Sequence, residues 1–291
     1  MKKIFSTFIA LSLLATQAYA EQPKGTDIYL TSFEIKNNKY TFSEPINFTN
    51  REGYDNQPSF SPDGKEILYV SQRNNQTDVY KYDLERKEIY QVTNTPESEY
   101  SPMITPSEDK ISVVRVEDDG TQRLWSFNCE GQNPKVLINS IVPVGYYGWI
   151  SNELVGMFVL GEHSSLQVFN FKTGQHDIVV ADVGRSIKKI PNTNSFAFSD
   201  TKNKTKQIIN KLDINTMKIT KLTNALEGSE DFTFSPDGKL YMSQKSKLFV
   251  YDLNKDKKWI QIADFYKYGV KNIFRLSINS NNNKLAFVSE Y

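Results

Sequence analysis

The sequence predicts an all-β protein, a six-bladed β-propeller with four strands in each blade. The first observation is a hexapeptide, Phe-Ser-Pro-Asp-Gly-Lys, which occurs unchanged at residues 60–65 and 234–239, 174 positions apart. The second is a series of six turns at nearly constant spacing, and the third is a series of strand ends that alternates with those turns. Units of about 44 residues that each hold four short strands are typical of propeller blades.

The first twenty residues have the composition of a secretory signal peptide. Lys2 and Lys3 form a basic start, residues 4–15 an apolar stretch, and residues 18–20 (Ala-Tyr-Ala) a small-x-small cleavage site. We therefore predict cleavage after Ala20 and a periplasmic or secreted protein. The predicted division of the chain is a signal peptide over residues 1–20, a flexible lead-in over 21–26 and a single β-propeller domain over 27–291.

The composition is that of a soluble globular protein. Of 291 residues, 38% are hydrophobic and 24% are charged. With 35 Lys and Arg against 34 Asp and Glu, the net charge of +1 is too small to attract nucleic acid or an anionic membrane. The apolar run of the signal peptide is too short to cross a bilayer, and we expect no transmembrane segment in the mature chain.

Six turns mark the predicted blades. In each hexapeptide, proline presets φ, aspartate can bond its own backbone and glycine accepts a positive φ, so Asp63 and Asp237 are predicted to hold turns. The degenerate copies keep turn residues and are each followed by a β-prone run. The equivalent positions, spaced by 41–45 residues, are Phe60, Ile104, Trp149, Ile190, Phe234 and Ile278.

The second series places a polar residue and then an apolar one at the end of a strand in each repeat. Because a strand-like run precedes each pair and another follows most of them, each unit contains four strands. The pairs begin at Glu34, Asp83, Asn128, Asn170, Asp213 and Asp252. Cys129 is the only cysteine, so no internal disulfide forms, and its alignment with Leu84 and Leu253 predicts a buried thiol.

The two series are out of phase at the chain ends. The second series begins at Glu34, before any hexapeptide, and the first series ends at Ile278, close to the last residue. We therefore expect N-terminal outer strands to pair with C-terminal inner strands in the sixth blade. This closure would remove exposed sheet edges.

The hexapeptide hairpin, followed by residues 77–84 (Thr-Asp-Val-Tyr-Lys-Tyr-Asp-Leu) and by Thr93-Asn94, resembles the TolB-like propellers with their WD-like repeats. The resemblance covers residues 27–291. It implies a six-bladed ring, a periplasmic or secreted location and a role in binding rather than in chemistry. We expect no counterpart of the α/β domain that precedes the propeller in TolB itself, so the resemblance does not extend to a role in the Tol system.

The loops that lead into the innermost strands of a propeller form one mouth of its central channel. In this chain those loops carry aromatic residues and charges of both signs, a lining suited to a ligand or peptide. The predicted binding residues are Tyr54, Asn56, Glu99, Tyr100, Tyr146, Arg185, Glu230, Asp231 and Arg275. The alternative is that these side chains bond to one another and to channel water, and so close the ring.

Catalytic patterns are weak. His163 and His176 fall within one blade and are expected on the surface, so we predict no metal site. The chain contains no G-x-S-x-G motif, which excludes a peptidase of the prolyl oligopeptidase type. Residues 117–120 (Glu-Asp-Asp-Gly) are expected to form a hairpin turn rather than a calcium loop. We predict no catalytic residues and no cofactor.

Three functional hypotheses follow. The leading one is an exported, non-enzymatic, monomeric propeller that binds a protein, peptide or envelope component at its channel mouth. The second is a scaffold that binds through its outer blade faces. The third is a carbohydrate-active lyase or hydrolase, which the shortage of histidines disfavours.

Overall fold

The chain forms a ring of antiparallel sheets in a computed structural model that describes residues 25–203 and 205–290. The predicted signal peptide lies outside the described residues. Across the described residues the sheets number six, each built from four successive strands, with one further short strand on the last sheet. The predicted six-bladed propeller is confirmed.

The strands follow one another with short connections. In chain order they are β1 (Thr26–Lys36), β2 (Lys39–Phe42), β3 (Ile46–Asn47), β4 (Asp55–Phe60), β5 (Glu66–Arg73), β6 (Gln76–Asp83), β7 (Glu88–Gln91), β8 (Ser98–Ile104), β9 (Lys110–Val116), β10 (Gln122–Asn128), β11 (Lys135–Ile138), β12 (Val144–Ser151), β13 (Leu154–Val159), β14 (Ser165–Asn170), β15 (His176–Ala181), β16 (Val183–Lys189), β17 (Ser195–Asp200), β18 (Ile208–Asp213), β19 (Lys218–Asn224), β20 (Phe232–Phe234), β21 (Leu240–Gln244), β22 (Lys247–Tyr251), β23 (Ile260–Asp264), β24 (Ile273–Ile278) and β25 (Lys284–Glu290). A 3₁₀ turn spans Tyr266–Tyr268.

Blades 1 to 5 each use four consecutive strands, β4–β7, β8–β11, β12–β15, β16–β19 and β20–β23. The first strand of each blade lies innermost: β4 contacts β8 and β24, and β16 contacts β12 and β20. Within a described segment, no helix has the length and apolarity needed to cross a membrane.

Blade 6 closes the ring from both ends of the chain. Its strand order is β24, β25, β1, β2, and β3 also pairs with β1. The seam between β25 and β1 runs antiparallel from the pair Thr26–Glu290 to the pair Ser32–Lys284. The predicted pairing of N-terminal outer strands with C-terminal inner strands is therefore confirmed.

Both hexapeptides form the predicted turns. In the first, the Ser61 hydroxyl donates to Asp63 Oδ1 at 2.6 Å, the Gly64 N–H donates to the Ser61 carbonyl at 2.9 Å, and Gly64 has a φ of 70°. In the second, Ser235 bonds Asp237 and Gly238 has a φ of 84°. The Ser61 hydroxyl lowers the pKa of Asp63, as expected for a carboxylate held by a turn.

The sequence alignment of blade 4 is wrong by one residue. Lys189 pairs with Phe196 as Phe60 pairs with Ile67, so Lys189 and not Ile190 occupies the position of Phe60. Ile190 donates its N–H to the Ser195 carbonyl, the bond that Ser61 makes to Glu66 in blade 1. The apolar Ile190 stands at a position where blades 1, 2, 5 and 6 have Ser, Thr or Asn, and this misled the alignment.

Apolar side chains fill the junctions between neighbouring blades. Each of six clusters joins two adjacent blades, and most of their members are β-branched, leucine or aromatic residues that alternate along the strands. Fully buried members include Leu68, Leu124, Phe196, Phe232, Phe287 and Tyr69, one for each junction. Trp149 is half-buried against the cluster between blades 2 and 3.

The prediction of a buried Cys129 is wrong. The thiol is exposed, and its nearest hydrogen-bond acceptor is the Glu108 carbonyl, 3.9 Å from Sγ. The equivalent Leu84 and Leu253 are half-buried and pack against the edges of junction clusters. The position lies at the rim of the blade, where a leucine reaches the core and the shorter cysteine does not.

Candidate ligand-binding channel

The channel is lined by side chains from two levels of the innermost strands. Residues two apart on a strand share a face, so each strand presents one residue at each level. The upper layer lies three residues before each corrected repeat position and consists of Gln57, Ser101, Tyr146, Ser186, Asp231 and Arg275. The lower layer lies two residues further along, and its members on the channel wall are Ser59, Met103, Lys188 and Ser277.

Backbone bulges aim the upper layer into the channel. Gln57, Ser101 and Arg275 occupy equivalent positions and have φ values of 57°, 53° and 54°, and the strand pairing shifts register at each of them. A bulge bends a strand and redirects a side chain, at a cost of about 1 kcal/mol for a non-glycine residue with positive φ. Gln57 Oε1 accepts the Ser101 N–H at 2.7 Å, so the bulges of blades 1 and 2 support each other.

Asp231 is the centre of the charge network. Arg185 binds it through two bonds, Nε to Oδ1 at 3.1 Å and Nη2 to Oδ2 at 2.6 Å. Arg275 Nη1 lies 3.9 Å from Oδ1, and the Ser186 hydroxyl is 3.3 Å from the same oxygen. Burial would raise the pKa of Asp231, but the attraction of Arg275 and Arg185 outweighs it and holds the pKa at about 2. Glu230, half-exposed at the rim, lies 3.2 Å from Arg185 Nη1.

A contact between Arg275 and Tyr146 spans the channel. Arg275 Nη2 donates to the Tyr146 hydroxyl at 2.8 Å, and the guanidinium carbon lies 4.7 Å from the centre of the tyrosine ring. Blades 3 and 6 stand opposite each other in a six-membered ring, so this contact crosses its centre. Tyr54 lies beside the same cluster, and burial raises the pKa of its hydroxyl. The mouth is therefore partly closed by its own side chains.

A cavity of about 100 Å³ lies within the channel and is lined by both layers. Lys188 stands on its wall without a hydrogen bond or ion pair to any described residue. Two other lining residues have buried atoms that lack a partner among residues 25–203 and 205–290, Ser101 Oγ and Arg275 Nε. Burial lowers the pKa of Lys188 and the positive charge of Arg275 acts in the same direction, whereas Asp231 opposes them.

A groove between blades 5 and 6 leads to this network from the outside. It has a volume of about 470 Å³, and Arg185 and Asp231 line both the groove and the channel cavity. Its other walls include Glu230, Lys245 and Asn272, all of which are exposed. Groove and channel thus form one concave path with charges of both signs.

Two residues predicted at the mouth lie elsewhere. Glu99 has no exposed side-chain surface and lies between blades 1 and 2, where the hydroxyls of Thr93 and Thr95 donate to it at 3.0 and 2.6 Å. Asn56 is buried, and its Nδ2 lies 3.3 Å from Thr26 Oγ1. Both side chains lie at junctions between blades and not in the channel.

The comparisons with known proteins place the chain among propellers of this architecture. No model of a known protein family matches the sequence, and no curated protein matches it. A TolB-type protein from Agrobacterium tumefaciens superposes with a TM-score of 0.72 at 13% identity, over 91% of this chain and 99% of that one. A chain of the nidogen–laminin complex gives 0.62 at 12% identity, over 85% and 97%. The oligogalacturonate lyase from Vibrio parahaemolyticus gives 0.53 at 12% identity, over 92% and 98%.

The fold is that of a TolB-like six-bladed β-propeller. Sequence identities of 12–13% establish the architecture and not the ligand, because one fold hosts many functions. What the chain binds depends on its own side chains.

Both histidines lie on the surface, as predicted. His163 Nδ1 is 2.7 Å from Asp182 Oδ1, and His176 Nε2 is 2.6 Å from Gln167 Oε1, so the two rings have separate partners. Within the described residues, no three His, Cys, Asp or Glu side chains are grouped to hold a metal ion. Residues 117–120 form the predicted hairpin turn between β9 and β10, closed by a bond from the Gly120 N–H to the Glu117 carbonyl.

Lys188 is the charged lining residue that the sequence prediction missed. With Ile190 taken as the repeat position, Lys188 falls on the strand face that points away from the lumen, whereas the observed register turns it inward. The pairing with the next strand of the blade supports this register. Asp213, a member of the second series, pairs with Ser195 as Asp83 pairs with Glu66, which fixes Phe196 as the equivalent of Ile67.

Proposed function

We propose that this protein is an exported, non-enzymatic, monomeric propeller that binds an extended protein segment at the channel mouth. The carrying observation is the concave path formed by the groove and the channel, which share Arg185 and Asp231. Grooves with a few charged groups and aromatic walls suit peptide recognition. A bound segment would lie in the groove between blades 5 and 6 and reach the arginines at its inner end.

The exported state is part of this proposal. It rests on the basic, apolar and small-residue segments of the first twenty residues and on the resemblance to TolB-like propellers. We expect the mature protein to begin at Glu21 and to be recovered from the periplasm or the medium. N-terminal mass spectrometry of protein purified from the source cells tests this, and an intact Met1 would contradict it.

Site-specific photo-crosslinking tests the proposed surface. A photoreactive amino acid at Glu230, on the rim, is compared with the same group at Ile178, which is 70% exposed on outer strand β15. We expect irradiation of envelope extract to give a discrete adduct from position 230 and none from position 178. An adduct only from position 178 would instead support binding through outer blade faces, and the absence of any adduct would contradict both surfaces.

A further inference from the structure

The channel cavity presents several hydrogen-bond donors that have no partner among the described residues. Lys188 contributes an ammonium with no partner among the described residues, and Arg275 Nε is buried without one. The hydroxyl of Ser101 also lacks a partner within the described chain, and Ser59 and Ser277 line the same space. Buried donors that remain unpaired are costly, so such a set favours an occupant rich in acceptors.

The charges at the cavity also favour an occupant with a single negative charge. Arg185, Lys188 and Arg275 face one buried carboxylate, Asp231, which Arg185 already binds through two bonds. Glu230 is half-exposed at the rim and lies on Arg185. Counting Glu230, three cations stand against two anions, which leaves one positive charge unmatched. A metal cation would add to this excess of positive charge. A dianion would carry more negative charge than the excess can balance, and Asp231 would repel it.

The cavity has room for a small polar group. Its volume of about 100 Å³ is enough for several water molecules. A carboxylate group fits in this space. Its two oxygens accept about four hydrogen bonds, which matches an ammonium, one guanidinium N–H and neighbouring hydroxyls.

We propose that the channel cavity is a carboxylate-binding site in which Lys188 supplies the balancing charge. The inference rests on the proposed function, since the carboxylate would be the chain terminus or acidic side chain of the bound segment. Lys188 forms the ion pair, Arg275 Nε and Ser101 Oγ bond the carboxylate oxygens, and Tyr146 closes the site above them.

Methyl NMR of methionine tests this site directly. Met103 lines the cavity, whereas Met217 is 40% exposed near the outer edge of blade 4 and serves as an internal reference. The ¹³C-methyl-labelled protein is titrated with acetate, with N-acetylglycine as a peptide carboxylate, and with the neutral analogues acetamide and N-acetylglycinamide. We expect saturable shifts of the Met103 methyl with the two acids and none with the amides, while Met217 is unaffected.

Two variants distinguish the effect of the Lys188 charge on binding from an effect on folding. Lys188→Gln should weaken acid binding by about tenfold or more, because it removes the balancing charge, whereas the exposed Lys221→Gln should leave it unchanged. Ser101→Ala keeps the charge and should weaken binding by a smaller factor. The signals of Met157 and Met242, both fully buried, report whether each variant remains folded.

The relative affinities of the two acids identify the source of the carboxylate. Tighter binding of N-acetylglycine than of acetate identifies a peptide as the source, and the reverse identifies a free small carboxylate at the same site. Four results would overturn the carboxylate site. Two of them are absence of a Met103 shift and shifts of equal size with the amides. The other two are unchanged affinity of a folded Lys188→Gln protein and stronger binding of inorganic phosphate. The crosslinking experiment is independent, so loss of the mouth surface and loss of the carboxylate site are distinguishable.

Discussion

At the scale of single residues, the channel is governed by one buried carboxylate. Asp231 has 6% of its side chain exposed and is approached by two arginines, which is why its pKa stays near 2 despite burial. Breaking a buried ion pair from one side leaves an uncompensated charge, which is more costly than the loss of an exposed pair. Asp231 therefore has a structural task in addition to any contact with a ligand.

Asp231→Asn should destabilise the fold by about 2 to 4 kcal/mol, because Arg275 and Arg185 lose their shared counter-charge while Arg185 keeps some contact with water. Glu230→Gln, which removes a half-exposed partner of the same arginine, should cost less than about 1 kcal/mol. Urea unfolding of both variants measures the difference. Equal losses would show that Asp231 is not the centre of the network.

Glu99 gives the molecule a pH-dependent stability. Burial raises its pKa from an ordinary 4.5 to about 7, and the neighbouring Asp78 acts in the same direction, although bonds from Thr95 and Thr93 oppose the shift. The folded state therefore binds a proton more tightly than the unfolded state. As pH rises from about 4.5 to about 7, up to about 3 kcal/mol of stability is lost.

Glu99→Gln removes this titration and keeps a side chain of the same shape. We expect the variant to gain stability over the wild type as pH rises from 5 to 8, by about 1 to 3 kcal/mol. The exposed Glu153→Gln serves as the control. If wild type and Glu99→Gln show parallel unfolding free energies across this range, the buried carboxyl does not titrate as described.

At the scale of strands and turns, local chemistry made much of the fold predictable. The Pro-Asp-Gly turns formed as expected because their residue types dictate backbone conformation. The predicted register of blade 4 was wrong, because the apolar Ile190 stands where a polar turn residue is usual and the alignment moved by one position. A shift of one residue exchanges the two faces of a strand, so Lys188 was lost from the predicted site.

The close contact of blades 3 and 4 depends on a residue without a side chain. A Cβ placed on Gly148 would lie 2.7 Å from the carbonyl oxygen of Ile187, which is backbone and cannot turn aside. Gly148→Ala should therefore destabilise the fold by about 1 to 3 kcal/mol. Gly161→Ala, whose nearest contact would be 3.6 Å away, should change stability by less than about 0.5 kcal/mol. Similar thermal midpoints for the two variants would contradict this packing.

At the scale of the whole molecule, the seam between β25 and β1 holds the ring together. Both strands belong to one sheet, yet no hairpin joins them, and Tyr29 stacks on Phe287 across the seam with ring centres 5.4 Å apart. The closure was predictable because the two repeat series are out of phase at the chain ends. The contact between Arg275 and Tyr146 at the mouth was not predictable, because the two residues lie 129 positions apart in the sequence and belong to opposite blades.

A disulfide across the seam should stabilise the ring more than one inside a blade. In a Cys129→Ser background, Ser32→Cys with Lys284→Cys joins surface positions that are direct strand partners. Oxidation should add about 5 kcal/mol, against about 3 kcal/mol for Glu66→Cys with Asp83→Cys, because the first bond closes a far longer loop. Each gain is the difference in the free energy of unfolding between the oxidised and reduced forms of one variant. Equal gains would contradict the claim that the two ends of the chain separate at the seam on unfolding.

The central claim is that partners bind at the channel mouth, and the affinity of a crosslinked partner for two charge variants tests it most directly. Glu230→Lys reverses a charge on the rim, whereas Ile178→Lys adds one on an outer strand, and both positions are exposed enough to leave the fold intact. We expect Glu230→Lys to raise the dissociation constant about tenfold or more and Ile178→Lys to leave it within about twofold. Loss of affinity in Ile178→Lys with none in Glu230→Lys would place the binding surface on the outer blade faces and contradict the account.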